Sequence, residues 1–200
     1  MAITNGYCTL AQVKAALRIT DAVDDGLLEM AVESASRAID NYTNRNFYKT
    51  ATAVSRIFAA RDAFTCEMDD LVSLTSLKTS SADAQSVYDI TWSTTDYQLE
   101  PLNGIVDGRS TPFTRIRATD DYTFQTLDGE ATVQVTGVFG FDSIPIDITQ
   151  ATVIQSSRIF KRLDSPLGII SNDLGSMRVG SRLDPDVAQL VDGYRRIRMA

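Results

Sequence analysis

Apolar residues recur at helical spacing in four stretches of this chain, and between the second and third the period shortens to the alternation of strands. Thr9 followed by Gln12 is a capping-box pattern, and it predicts a helix to about Ile19 with Leu10, Val13, Ala16 and Leu17 on one face. Thr20-Asp21 breaks that helix, and a second is predicted from about Asp24 to Thr43. Its stripe is Leu27, Leu28, Ala31, Val32, Ala35, Ala38, Ile39 and Tyr42, with Glu29, Glu33, Arg37 and Asp40 mostly on other faces. A third helix is predicted from about Asp147 to Leu163, where Pro145 fixes φ and Asp147 caps the start. The fourth opens at Asp184-Pro185, a carboxylate cap followed by proline at the first helical position. Val187, Leu190, Val191 and Tyr194 form its stripe, and Arg195, Arg196 and Arg198 complement the dipole at its end. Residues Ile169 to Arg182 lack periodicity and read as an extended connector.

The β-period stretch predicts strands at Ala53–Phe58, Leu71–Leu77, Val87–Trp92, Tyr97–Leu99, Phe113–Arg117 and Ala131–Phe139, all rich in β-branched and aromatic residues. Asn103-Gly104, Asp107-Gly108 and Asp128-Gly129 supply turns. The last predicts a hairpin between Phe124–Leu127 and Ala131–Val135, and the polar stretch Gly104 to Pro112 reads as a projecting loop. The fold class is therefore α+β, a small bundle of about four helices with a large antiparallel β insertion between helix 2 and helix 3. The boundaries fall at 1–48 for the first part of the helical core, 49–141 for the insertion, 142–164 for the third helix and 165–200 for a C-terminal arm.

Composition narrows the chemistry. The chain has 200 residues, 44% hydrophobic and 22% charged, enough to bury a core without staples. It has no histidine. That removes Ser-His-Asp and Cys-His catalysis, the usual zinc ligands and the commonest general base near neutral pH. Cys8 and Cys66 have no metal or redox spacing and read as reduced thiols. Met1 to Leu10 lacks the basic and apolar regions of a secretory signal, and no apolar run reaches the ~20 residues that span a membrane. Net charge is −7, unevenly spread: from Val153 to Ala200 eight Lys/Arg oppose five Asp/Glu, leaving −10 on the rest. Such a balance argues against wrapping nucleic acid with the whole surface.

No catalytic or metal-binding constellation emerges. Asp24-Asp25, Asp69-Asp70 and Asp120-Asp121 each lie at an element boundary, where capping or turn duty accounts for them. Asp128-Gly129-Glu130 lacks the earlier ligands of a calcium loop. Gly137-Val138-Phe139-Gly140 is a strand exit, neither a dinucleotide fingerprint nor a phosphate loop. Ser171 and Ser176 have no activating base. Trp92 and Tyr97 flank a polar turn with no interleaved bases, so they read as core aromatics. The arginines after Tyr194 suit an interface, a solvated helix end or a phosphate contact.

The order of these elements is specific where each motif is not. Leu10-Ala11-Gln12-Val13-Lys14-Ala15-Ala16-Leu17 is followed by Asp24-Asp25 and by a long helix ending Ala38-Ile39-Asp40-Asn41-Tyr42-Thr43-Asn44-Arg45. The β insertion closes with Val133-Gln134-Val135, Phe139-Gly140-Phe141, Ile144-Pro145 and Asp147-Ile148, and the next helix ends near Arg162. Over nearly its whole length the chain resembles the head-to-tail connector (adaptor) proteins of long-tailed bacteriophages. Ser165-Pro166-Leu167-Gly168, Leu183-Asp184-Pro185-Asp186-Val187 and Tyr194-Arg195-Arg196 look like the versions in phages of actinobacteria.

The resemblance implies a structural virion protein with no catalytic residue, metal or cofactor. It implies a ring of twelve copies beneath the portal protein, in the neck of the virion, assembled in the host cytoplasm with no membrane. The ring extends the channel through which genomic DNA passes without sequence-specific binding, and it is a platform for the next neck or tail-completion protein. On this pattern Val187, Leu190, Val191, Tyr194, Arg195, Arg196 and Arg198 are the expected portal contacts, and Gly137, Gly140, Pro145 and Asp147 the hinge between insertion and core. Three other functions are open: a different neck component such as a tail-completion protein, a small nucleic-acid-binding module using the C-terminal arginines, and, least favoured, a carboxylate-dependent hydrolase.

Overall fold

A computed structural model describes residues 2–80, 87–119, 121–126, 130–163, 169–172, 175–178 and 183–196. The chain divides into two compact units, a helical one of residues 1–48 with 144–200 and a β one of residues 49–143. The fold class is the α+β arrangement expected from the periodicities, with the large sheet between the second and third helices.

The helical unit contains α1 (Leu10–Leu17), α2 (Asp25–Thr43), α3 (Ile146–Lys161) and α4 (Pro185–Val191), the last followed by a single turn of 3-10 helix at Asp192–Tyr194. The capping box of α1 forms as predicted: Thr9 Oγ1 accepts from the Gln12 amide at 3.2 Å and Gln12 Oε1 accepts from the Thr9 amide at 2.7 Å. Arg18 and Asn44 end α1 and α2 in the left-handed conformation. Val13, Leu28, Ala31, Val32, Ala35, Ile39, Ile148 and Ala151 form the fully enclosed apolar interior of the unit. Each fully buried Val, Leu or Ile contributes roughly 1.5–3 kcal/mol.

Two expectations need correction here. Asp147 does not cap α3; the cap position is Pro145, and Asp147 lies in the first turn. Asp40, placed by its spacing off the apolar stripe, is buried all the same, as are Ser36 and Thr43 of the same helix. Residues 169–178 are not wholly an extended connector: β9 (Ile169–Asn172) and β10 (Gly175–Arg178) pair antiparallel, with Met177 opposite Ile170. Four-residue strands are too short for a readable period.

The β unit is built on β1 (Val54–Phe58), β2 (Thr65–Thr79), β3 (Ile90–Thr91), β4 (Tyr97–Glu100), β7 (Phe113–Ala118) and β8 (Val133–Phe139), with a separate hairpin of β5 (Ile105–Val106) and β6 (Arg109–Ser110). Strand order is β1-β8-β2-β7-β4, all antiparallel, with β3 on the end of β2. The predicted Leu71–Leu77 strand is the second half of a fifteen-residue strand. Its first half hides behind acidic residues, but Cys66, Met68 and Asp70 alternate inward, so Asp69-Asp70 lies within a strand and not at the element boundary expected of it. The hairpin expected around Asp128-Gly129 is not the pairing adopted. Residues 124–126 form no strand, the turn lies outside the described residues, and β8 pairs with β1 and β2. Within the stretch Gly104 to Pro112, residues 105–110 form an exposed excursion turned by Asp107 and Gly108, both at positive φ, while Gly104 and Thr111 are half-buried and Pro112 is buried.

The sheet core holds Leu71, Leu77, Trp92, Ile116, Val133 and Phe139. Trp92 stacks on Phe124 at 4.7 Å between ring centroids and donates Nε1–H to Thr79 Oγ1 at 2.9 Å. It is a core residue, as its sequence context predicts.

Candidate functional site

The C-terminal helix is built as its sequence suggests. Asp184 caps α4, its side chain accepting from the Asp186 amide at 3.0 Å, and Pro185 occupies the first turn. Asp184 also receives Arg158 of α3 in a charge-assisted hydrogen bond. The apolar stripe then turns inward. Val187 and Val191 are fully buried within the helical unit, and Leu190 is half-buried. Tyr194 sets its ring edge-on to Phe47 at 5.6 Å and donates its hydroxyl to Asp147 Oδ2 at 3.2 Å. Arg196 is tied by its backbone: its amide donates to Thr43 O at 2.8 Å, and its carbonyl accepts from Asn44 Nδ2. Arg195 is exposed, its guanidinium 5.6 Å from the centre of the Tyr42 ring. Arg198 lies outside the described residues. Of the expected portal contacts, the structure thus gathers Val187, Leu190, Val191 and Tyr194 against their own bundle and leaves Arg195 outward.

The residues expected at the junction fall on both sides of the unit boundary. Gly137 is inside β8, paired with Val54 and Leu74. A Cβ there would clash with Ser73 O and come within 2.8 Å of Leu71 Cδ1, so glycine lets β8 approach β2 where β2 is bulged. Gly140 has φ +112° and donates its amide to Asp70 O at 2.8 Å. Pro145 and Asp147 open α3 in the helical unit.

A polar strap not anticipated from the sequence fixes the first residues of the helical unit. Glu33 Oε1 accepts from the Thr4 and Asn5 amides, Arg37 Nη2 donates to Asn5 O, and Ser36 Oγ accepts from the Tyr7 amide. One turn on, Asp40 Oδ1 accepts from the Tyr7 hydroxyl. Arg37 Nε lies 3.0 Å from Asp40 Oδ2 but off hydrogen-bond alignment, and its guanidinium packs on the Tyr7 and Tyr48 rings. Burial pushes the Asp40 carboxyl above its usual range, against the opposing pull of Tyr7 and Arg37. Burial likewise raises the Tyr7 hydroxyl. Glu33, Ser36, Arg37 and Asp40 recur at three- and four-residue spacing along one edge of α2, the only sequence signal that could have revealed them.

Cys8 and Cys66 are buried free thiols, pushed up by desolvation to about 11 and about 12. Among the described residues, no three His, Cys, Asp or Glu side chains converge on a metal-sized site. A hollow of about 440 Å³ beside the strap is lined by Tyr7, Cys8, Thr9, Gln12, Ile144 and Thr149, none of them charged. One of about 250 Å³ in the β unit has Asp142 as its single charged lining residue among those described. No helix of the described residues is long and apolar enough to cross a membrane.

Charge divides along the same boundary as the fold. The β unit holds seven Lys/Arg and fourteen Asp/Glu, a net of −7 and the whole formal charge of the chain. The helical unit balances twelve of each.

Comparison with known proteins bears out the likeness to head-to-tail connectors. Residues 7–78, from the strap through α1, α2 and β1 to the end of β2, match the family model described as phage gp6-like head-tail connector protein. No curated protein matches the sequence. Among solved structures, a chain from the neck of an empty GTA particle computed with C6 symmetry has the same fold, with TM-score 0.60, 15% identity, and coverage of 100% of this chain and 95% of that one. A chain from the neck of a native GTA particle computed with C12 symmetry gives 0.59 and 15%, covering 100% and 94%. A third, from the virion of a native gene transfer agent particle, gives 0.55 and 18%, covering 100% and 95%.

Proposed function

We propose, for a chain that carries the head-tail connector pattern over residues 7–78, that it is a structural, non-catalytic adaptor of a phage-type neck. That match is the observation that carries the proposal. The fold shared along the whole chain with neck proteins of gene transfer agent particles supports it. In this role copies of the chain close into a ring of twelve beneath the portal. The ring extends the DNA channel and presents a platform for the next neck or tail-completion protein. The β unit, with its net −7, suits a surface past which DNA moves without being gripped, since like charge repels phosphate. Arg195 and Arg196, at the end of a capped helix held by its own bundle, suit charge-assisted contacts to the portal. The return from Gly137 and Gly140 to Pro145 and Asp147 carries the chain from the β unit back to the helices.

Native mass measurement of the purified chain, alone and mixed with portal protein, tests this. A ring of about a dozen copies that docks to portal is the expected result. A monomer indifferent to portal, but binding DNA with a steep salt dependence, would replace it with the nucleic-acid reading.

A further inference from the structure

Each of the two long helices keeps one face that its own unit leaves uncovered. α2 turns Leu28, Ala31, Val32, Ala35 and Ile39 inward. Opposite them lie Leu27, Met30 and Ser34, with Val23 just before the helix. Val23 is 86% exposed, Leu27 46% and Met30 53%. The outward face of a surface helix ordinarily carries charge, and this stripe carries none. The strap runs along Glu33, Ser36, Arg37 and Asp40, to one side of it. α3 turns Ile148, Ala151, Thr152, Gln155 and Ser156 inward. Opposite them Ile146, Gln150 and Lys161 are exposed, Ile146 at 82%, and Ser157 between them is half-buried, its hydroxyl donating to Val153 O.

α2 and α3 pack on each other, and each turns this face away from the core they share. Leu28 and Val32 share a core with Val153 and Phe160, which sets the start of α2 beside the end of α3. A ring subunit needs two different side faces that meet head to tail and close by rotation. The α2/α3 pair supplies two such faces, and charge gives them a polarity. Asp21 and Asp24 stand at the start of the α2 stripe, and exposed Lys161 and Arg162 stand at the end of the α3 stripe, at the same end of the bundle.

We propose that the outward face of α2 in one copy docks on the outward face of α3 in a second copy, so that α2 and α3 alternate around the ring. The proposal rests on the ring reading above. Rotation about an axis along the helices keeps like ends level, so Lys161 and Arg162 of one copy meet Asp21 and Asp24 of the next. The helices then run antiparallel across the joint as they do within the chain. Ser34 and Gln150 meet near mid-helix, and Leu27 and Met30 lose their exposure.

A chain carrying both Ser34→Cys and Gln150→Cys tests the geometry. Cys8 and Cys66 are buried, so the introduced thiols report alone. Mild oxidation of assembled rings is expected to give a ladder of covalently linked copies on non-reducing gels. Met30→Asp, on a solvent-facing position, is expected to weaken assembly at least tenfold while leaving thermal unfolding of the monomer unchanged. Asp24→Arg is expected to weaken it too, and Lys161→Asp added to Asp24→Arg to restore it. Rings that assemble but neither cross-link nor respond to Met30→Asp overturn this joint and leave the ring standing. A wild-type chain that stays monomeric even with portal overturns both.

Discussion

The Tyr7 hydroxyl donates to Asp40 Oδ1 and accepts from the Phe47 amide at 2.9 Å. One buried oxygen thereby joins the N-terminal strap, the middle of α2 and the chain that leaves α2. Tyr7→Phe removes both hydrogen bonds from a buried site and leaves the Asp40 carboxylate one donor short. The expected loss is about 1–3 kcal/mol in urea unfolding. A loss within ~0.5 kcal/mol would mean that the strap contributes nothing to the stability of the bundle.

Asp40 gives a pH signature of unusual sign. Burial raises its folded pKa above the unfolded value, so between the two the native state binds more protons than the unfolded state. Its contribution to stability therefore falls as pH rises through the folded pKa and recovers as pH falls, which is opposite to a salt-bridged carboxylate. Asp40→Asn cannot titrate. The stability difference, wild type minus variant, is expected to grow as pH is lowered from neutrality toward the unfolded value near 4. Denaturant midpoints at several pH values measure it, and a difference that shrinks on acidification is the contrary result.

Within the C-terminal helix, stability and docking are carried by different residues. Val187→Ala empties part of a fully enclosed site and is expected to cost about 2 kcal/mol from lost methyls and the residual cavity. Arg195 is exposed, and Arg195→Glu is expected to change stability by less than ~0.5 kcal/mol. On the adaptor reading the same reversal weakens portal binding. Thermal melts paired with portal pull-down separate the two effects; unaltered pull-down by Arg195→Glu would remove the arginine from the interface.

What was legible in the sequence was local. The Thr9/Gln12 box and the Asp184-Pro185 start depend on residues within one turn, so their geometry follows from their spacing. The α4 stripe of Val187 and Val191 was equally visible, but a stripe does not name its partner, and here that partner is the chain's own bundle. The strap was not legible. Glu33, Ser36, Arg37 and Asp40 look like any solvated helix edge until residues about 30 positions away fold onto them. The same holds for β8: Asp128-Gly129 favours a local hairpin, but pairing with β1 and β2 buries Val133, Val135 and Phe139 in one sheet. Burial over a full strand outweighs one good turn dipeptide.

Gly137 and Gly26 should respond to alanine with opposite signs. At Gly137 a methyl group would meet Ser73 O, backbone that cannot move without disturbing the bulged pairing of β2 with β8. Overpacking of this kind is expected to cost about 1–3 kcal/mol, confined to the β unit. At Gly26, in the first turn of α2, nothing lies within 4 Å of an added Cβ, and φ is not in the left-handed region. Gly26→Ala is expected to stabilise by about 0.4–1 kcal/mol, because alanine loses less backbone entropy on entering a helix. Hydrogen exchange on the two variants reads the effects separately: faster exchange in β2 and β8 for Gly137→Ala, and slower exchange at the start of α2 for Gly26→Ala. Equal and small effects at both sites would mean that β2 yields around the methyl group, and that the close approach of the two strands is not what requires glycine at 137.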